Sequence, residues 1–233
     1  MSRPRVAVID YGIGNLLSVR RALEHCGAEV LVTADAAALL DSPRVILPGV
    51  GAFANGMSEL QRAGLDSVAR QIAARGTPLL GICLGMQMLF EESEEFGATR
   101  GLGLIPGRVV AVPSVDTSGR AQKIPHIGWN GLMSRHGQSW AGTPLADITP
   151  GAAVYFVHSF MAEPANRASR IADTLYGGVP ISAVVGQANV FGCQFHPEKS
   201  GAVGLTVLRT FLGFEQRHAL AREGARAAGL GKT

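Results

Sequence analysis

One of the three cysteines in this chain stands where chemistry is possible. Cys83 lies in Gly81-Ile82-Cys83-Leu84-Gly85-Met86-Gln87, at the end of an apolar run and at the opening of a helical pattern. A Gly-x-Cys-x-Gly turn between strand and helix reads as a nucleophile elbow. The sharp turn pushes the central side chain clear of the backbone, and the flanking glycines relieve the crowding that this geometry creates. Cys83 is therefore expected to be presented rather than buried. Unpaired N–H groups and the macrodipole at the start of the next helix favour negative charge, and with it the thiolate. The competing reading is a small hydrophobe ending a core strand, the usual fate of a free cysteine.

Partners for such a nucleophile stand in the carboxyl-terminal half. The mostly apolar segment 190–195 runs directly into His196-Pro197-Glu198. Pro197 pushes His196 towards extended backbone and fixes its own φ, so His196 and Glu198 can share one side of the chain. A carboxylate accepting from one ring nitrogen leaves the other free to take a thiol proton, which is triad logic. Alone, a His-x-Glu pair is what many surface turns produce. Joined to Cys83 in an elbow, it supplies a base and an orienting acid for a nucleophile.

These residues need a scaffold that brings position 83 beside position 196. With 233 residues, 47% of them hydrophobic, the chain can build one sizeable α/β core. Strands are expected at 5–9, 29–32, 45–47 and 79–82, with a helix capped by Asn15 and stopped at Gly27. From about Gly107 short strands and turns take over, including 109–112 and 154–157, before a helix near 201–214. A mixed sheet is expected rather than repeated βαβ units. Residues 1–214 are expected to form one domain; the Ala/Arg-rich segment 215–233 reads as a tail, and 114–120 as an exposed loop.

Composition narrows the function. Cys26, Cys83 and Cys193 are too few and too scattered for a disulfide framework, and no Cys-x-x-Cys pair suggests zinc. A reducing cytoplasm is the expected home. The start has no signal-peptide h-region, and no apolar stretch approaches a membrane span. A formal net charge of +3 with 6% aromatic residues and no recognisable binding motif gives no reason to expect a nucleic-acid partner. Gly12-Ile13-Gly14 follows a strand, but Leu17 takes the place of the third glycine, so no dinucleotide cofactor is expected, nor any other.

The elbow together with Phe195-His196-Pro197-Glu198 resembles the class I glutamine amidotransferases, over most of the chain. The resemblance implies their α/β fold, a flavodoxin-like three-layer sandwich with a central mixed, mostly parallel sheet, and a catalytic triad of Cys83, His196 and Glu198. Five further segments, 10–16, 48–53, 125–130, 155–160 and 196–200, resemble within that family the glutaminase subunits that serve imidazole glycerol phosphate synthesis in histidine biosynthesis. By the resemblance, the substrate is L-glutamine. Gln87 and Glu95 would hold its α-amino end, and the His158-Ser159-Phe160 backbone its carboxylate end. Gln87 falls one helical turn after Cys83, so both can face one pocket. Glu95 sits in an acidic run whose usual fate is a solvated face, and His158 could equally fill a core gap.

The chemistry requires donors for an oxyanion. The backbone N–H of Leu84 is one candidate, and the turn Gly49-Val50-Gly51 offers those of Val50 and Gly51, its glycines permitting unusual φ. Ammonia released into water would be lost, so a partner is expected. The resemblance implies a (β/α)₈ cyclase subunit in a heterodimer, with Trp129 and Asn130, in a Gly-containing turn, near the contact. Two alternatives stay open. A glutaminase of another synthase, or a free-standing γ-glutamyl hydrolase, would keep the triad without that contact. A thiol-sensing interaction protein would use the elbow cysteine without turnover.

Overall fold

The computed structural model describes residues 3–134 and 137–214. Strands and helices alternate first: β1 (Arg5–Ile9), α1 (Leu16–His25), β2 (Glu29–Thr33), α2 (Ala36–Asp41), β3 (Val45–Gly49), α3 (Phe53–Arg62), α4 (Leu65–Ala74), β4 (Leu79–Cys83) and α5 (Leu84–Met88). A strand-rich half follows, with β5 (Phe90–Ser93), β6 (Thr99–Arg100), β7 (Ile105–Ala111), β8 (His126–Gly131), β9 (Met133–Ser134) and β10 (Ala153–His158). Then come β11 (Phe160–Pro164), β12 (Arg170–Tyr176), β13 (Val179–Gln187), β14 (Val190–Cys193) and α6 (Gly201–Leu212).

Strands β1, β3 and β4 are apolar at nearly every position because both of their faces are covered. Val6, Val8, Ile46, Leu80 and Ile82 enter one core with Val19 and Leu23 of α1 and Val207, Leu208 and Phe211 of α6. Their neighbours Ala7, Ile9, Val45, Leu47 and Leu79 enter a second core with Leu39, Met57, Leu60, Val68 and Ile72 from α2, α3 and α4. Alternation along each strand thus divides the molecule into three layers.

The eight-stranded sheet has the order β2-β1-β3-β4-β14-β13-β12-β9. It is parallel from β2 to β14 and antiparallel from β14 to β9, a mixed sheet as expected. Asn15 caps α1 by accepting the Ser18 N–H at 3.4 Å, and Gly27 follows its end at φ +87°.

Two smaller sheets stand beside the main one, β11-β7-β5-β6 and β10-β8. The second corrects the turn expected around Trp129 and Asn130. Both lie in β8, where Trp129 pairs with Tyr155 and Asn130 with Val154. At Ser159 the chain leaves β10 and re-enters structure as β11, changing sheets. Residues 114–120 are largely exposed, wrapped around Asp116, and anchored where the Thr117 N–H donates to the Gly177 carbonyl at 2.9 Å. The 215–233 tail lies outside the described residues.

Candidate active site

Pairing register fixes where the chemistry can meet. Gly49 of β3 lies beside Cys83 of β4, and Ile82 beside Cys193 of β14. The turn after β3, the elbow after β4 and the His196 segment after β14 therefore gather at the carboxyl ends of three adjacent parallel strands, the edge where open α/β sheets bind ligands.

Cys83 adopts φ +55°, ψ −111°, a left-handed strand-to-helix corner that a non-glycine residue rarely occupies. The corner needs glycine on both sides. A Cβ on Gly81 would stand 2.6 Å from the Gly85 carbonyl oxygen, and one on Gly85 would run into the Leu47 carbonyl. Cys83 itself is only 8% exposed, which corrects the expectation of a presented residue. The elbow turns the thiol into a cavity rather than to the outer surface.

That cavity has a volume of about 290 Å³, at the lower end of the roughly 300–1,000 Å³ usual for small-molecule sites. Cys83, His196, Gln87, Glu95, Val50, Gly51, Leu84, His158, Ser159 and Phe160 all line it. Glu198 stands behind His196, accepting from Nδ1 at 2.8 Å, and its side chain is 1% exposed. Trp129 and Asn130 are not part of the lining.

Burial by itself lowers the His196 pKa, but hydrogen bonds to Cys83 and Glu198, reinforced by their negative charges, outweigh it and raise the value to about 9. The imidazole is thus held as the cation between sulfur and carboxylate, an arrangement in which Nε2 can deliver a proton into the cavity. Burial pushes the Cys193 thiol well above its ordinary value, and the charges of Glu198 and Cys83 add to the effect. It stays neutral and gives its hydrogen to the Gly81 carbonyl at 3.7 Å.

Glu95 is separated from its exposed neighbours. Its Oε2 accepts the Phe53 N–H at the start of α3 at 2.7 Å, with the carboxylate on the cavity wall. The Gln87 Nε2 donates to the Phe160 carbonyl at 3.1 Å and to Gln194 Oε1 at 3.0 Å. The His158 ring is engaged inside the protein. Nδ1 donates to the Phe160 carbonyl at 2.8 Å, so Nε2 must accept, from His126 Nδ1 at 2.9 Å. His126 Nε2 in turn accepts from Asn130 Nδ2 at 2.6 Å. Each proton position follows from the last, and both rings are neutral. Burial brings His126 to about 4; burial, then the repulsion a protonated His126 would exert, brings His158 to about 3. The Ser159 carbonyl accepts from the Val112 N–H at 2.9 Å, so what Ser159 can offer a ligand is donors.

Gly51 has φ +93°, a conformation that glycine adopts and L side chains rarely do, and it lies on the cavity wall. Three residues beyond the sequence expectations stand behind the cavity lining and hold it. Tyr11 donates to the Pro48 carbonyl at 2.8 Å, pinning the end of β3, and burial holds its pKa above the ordinary phenol value. His126 stacks between Phe156 and Tyr176, with ring centroids 4.9 and 4.1 Å away. Gln194 bridges Gln87 and Cys83. The signal for it was available, since it is a polar residue inside an apolar run, two before His196 and hence on the same face. Trp129 is 55% exposed and packs edge-on against Tyr155, whereas Trp140 is the buried tryptophan.

The sequence profile of the family described as glutamine amidotransferase class-I matches residues 7–212. The chain belongs to the class I glutamine amidotransferases. Within this family, the imidazole glycerol phosphate synthase subunit HisH 1 of Legionella pneumophila (strain Lens) is 51% identical over 208 residues, covering 89% of this chain and 98% of that protein. Subunit HisH of Geobacillus thermodenitrificans (strain NG80-2) is 49% identical over 208 residues, 89% and 95% of the two chains. The chain is thus a member of the HisH subunit family. Among solved structures, PurLQS from Thermotoga maritima superposes with a TM-score of 0.66 at 22% identity, over 91% of this chain and 99% of that one. The glutaminase domain of Trypanosoma brucei CTPS, solved with bound acivicin, gives 0.62 at 18% over 91% and 94%. At these identities the two structures bear on the fold, which is that of the glutamine amidotransferases.

Proposed function

We propose that residues 1–214 form the glutaminase subunit of an imidazole glycerol phosphate synthase, hydrolysing L-glutamine to glutamate and ammonia. The observation that carries this reading is one cavity in which Cys83 and a Glu198-backed His196 meet the Gly49-Val50-Gly51 turn. In the chemistry that follows, the Cys83 thiolate attacks the side-chain carbonyl carbon of glutamine and the carbonyl π electrons move to oxygen. The N–H groups of Leu84 and of Val50 or Gly51 receive that oxyanion. Its collapse breaks the C–N bond, His196 gives its proton to the leaving nitrogen, and ammonia departs from a thioester on Cys83. His196, now neutral, takes a proton from water. The hydroxide forms the second oxyanion, which expels the Cys83 thiolate and leaves glutamate. The Glu95 carboxylate and the Gln87 amide suit the α-ammonium, and Ser159 donors suit the α-carboxylate.

The partner in this reading is a (β/α)₈ cyclase subunit that consumes the ammonia while making imidazole glycerol phosphate and aminoimidazole carboxamide ribotide. Exposed apolar side chains on β8, Ile127 at 52% and Trp129 at 55%, support a docking face there. Three free cysteines support work in the cytoplasm, and no helix among the described residues is long and apolar enough to cross a membrane. The test is glutamine hydrolysis measured with and without the cyclase of the same source. Turnover that depends on the cyclase supports the reading; turnover indifferent to it favours a free-standing hydrolase, and none in either case favours a thiol sensor.

A further inference from the structure

Gln194 is fully buried, and a buried amide must find partners at both ends. Its backbone N–H donates to the Ala183 carbonyl at 2.9 Å, continuing the β13–β14 ladder and fixing where the side chain starts. Phe191, Cys193 and Phe195 enter one core, which leaves Gly192 and Gln194 on the opposite face. A Cβ on Gly192 would meet Met86 Cγ at 2.6 Å, so α5 covers that face. From there Gln194 Oε1 accepts from Gln87 Nε2 at 3.0 Å, and Gln194 Nε2 donates towards Cys83 Sγ at 3.8 Å. The other Gln87 N–H goes to the Phe160 carbonyl at 3.1 Å. With both of those hydrogens engaged, the end of Gln87 left for the cavity is its carbonyl oxygen. That is an acceptor, the sign an ammonium group needs; the reversed amide would oppose it.

We propose that Gln194 is a further residue of the glutaminase site, locking the Gln87 carbonyl towards the α-ammonium of glutamine and donating an N–H to the Cys83 sulfur. The inference rests on the glutaminase reading above. Of the side chains that fit this space, an amide accepts at one end and donates at the other. Glutamate would still accept from Gln87 but would set an acceptor against the sulfur, and methionine would supply neither bond. The donated N–H acts most strongly when the sulfur is anionic, which is its state before attack and again as it leaves the acyl group.

The experiment compares full-length wild type, Gln194→Met and Gln194→Glu, after thermal denaturation has shown each to be folded. The pH dependence of Cys83 alkylation by iodoacetamide is read by peptide mass mapping, and glutamine KM and kcat are measured with the cyclase present. Both variants should alkylate about 10- to 100-fold more slowly near neutral pH, with the midpoint displaced upward. Gln194→Met should also raise KM, and Gln194→Glu, which still accepts from Gln87, should raise it less. A folded variant with the wild-type alkylation profile overturns the contact with sulfur, and an unchanged KM in Gln194→Met overturns the lock. If neither variant folds, the side-chain amide resonance of Gln194 in the wild-type protein decides. It should move when Cys83 is alkylated, and a resonance that stays in place refutes the proposal. A wild-type chain that alkylates at Cys83 but never hydrolyses glutamine would refute the glutaminase reading alone, since alkylation reports the sulfur contact without glutamine.

Discussion

Cys83 and Cys193 are both buried thiols, and their surroundings give them opposite chemistry. Cys83 hydrogen-bonds an imidazole whose pKa it and Glu198 together raise, whereas Cys193 lies in the apolar core and gives its hydrogen to a carbonyl. Cys83→Ser should therefore lower glutamine hydrolysis by at least about 10⁴-fold, because triad members act as a unit. Cys193→Ser should keep most of the activity, a serine hydroxyl being able to hold the bond to Gly81. Near-normal turnover in Cys83→Ser, measured as glutamate release, would sink the covalent route. At Glu198 the expectation is graded. Glu198→Gln can still accept from His196 Nδ1 but loses the charge that favours the imidazolium, so its kcat should fall less than that of His196→Ala. A wild-type rate in Glu198→Gln would move the orienting role elsewhere.

The elements that carry these residues tolerate little change. Gly85 sits where α5 crosses β3, and the Cβ of Gly85→Ala would collide with the Leu47 carbonyl. The variant should lose at least about 1–3 kcal/mol of stability, as overpacked positions do, read as a lower denaturation midpoint. Gly51 governs the opposite wall. Gly51→Pro removes an N–H and forces φ near −65° where the native turn has +93°. Glutaminase activity measured with the cyclase should drop on the order of 10²–10³-fold, the usual effect of displacing one oxyanion donor; a wild-type rate in the variant would remove this turn from the site. Much of this was legible in the sequence. The parallel strands are continuous apolar runs bounded by turn residues, and the elbow and the His-Pro-Glu segment carry their geometry locally. β8 was not legible as a strand, since Gly128, Asn130 and Gly131 are poor strand formers held there by pairing with β10. Glu95 looked solvated because its neighbours are, and Tyr11, His126 and Gln194 act through partners far away in sequence.

At the scale of the whole molecule, buried histidines tie stability to pH from two sides. His126 and His158 have folded values of about 4 and 3, below the ordinary 6.5. Between pH 6.5 and 4 the unfolded chain binds protons that the folded chain refuses. Stability should fall with pH there, by up to about 1.4 kcal/mol per unit for each ring. His196 works in the other direction. Its folded value of about 9 lies above 6.5, so its contribution is complete below 6.5 and is lost as pH rises through 9. Denaturation midpoints across pH 4–10 should form a dome; His126→Phe should flatten its acid limb and His196→Ala its alkaline limb. A wild-type acid limb in a folded His126→Phe would show that some other group sets it.

Strand β14 is the last strand in the described chain, yet it lies in the middle of the large sheet, between β4 and β13. On a ribosome, β4 and its cysteine would emerge long before the strand that fills the place beside them. Until residue 196 has been made and β14 has slotted in, Cys83 has no imidazole to take its proton and no closed cavity around it. Nucleophile and base therefore come together only in the act of completing the sheet.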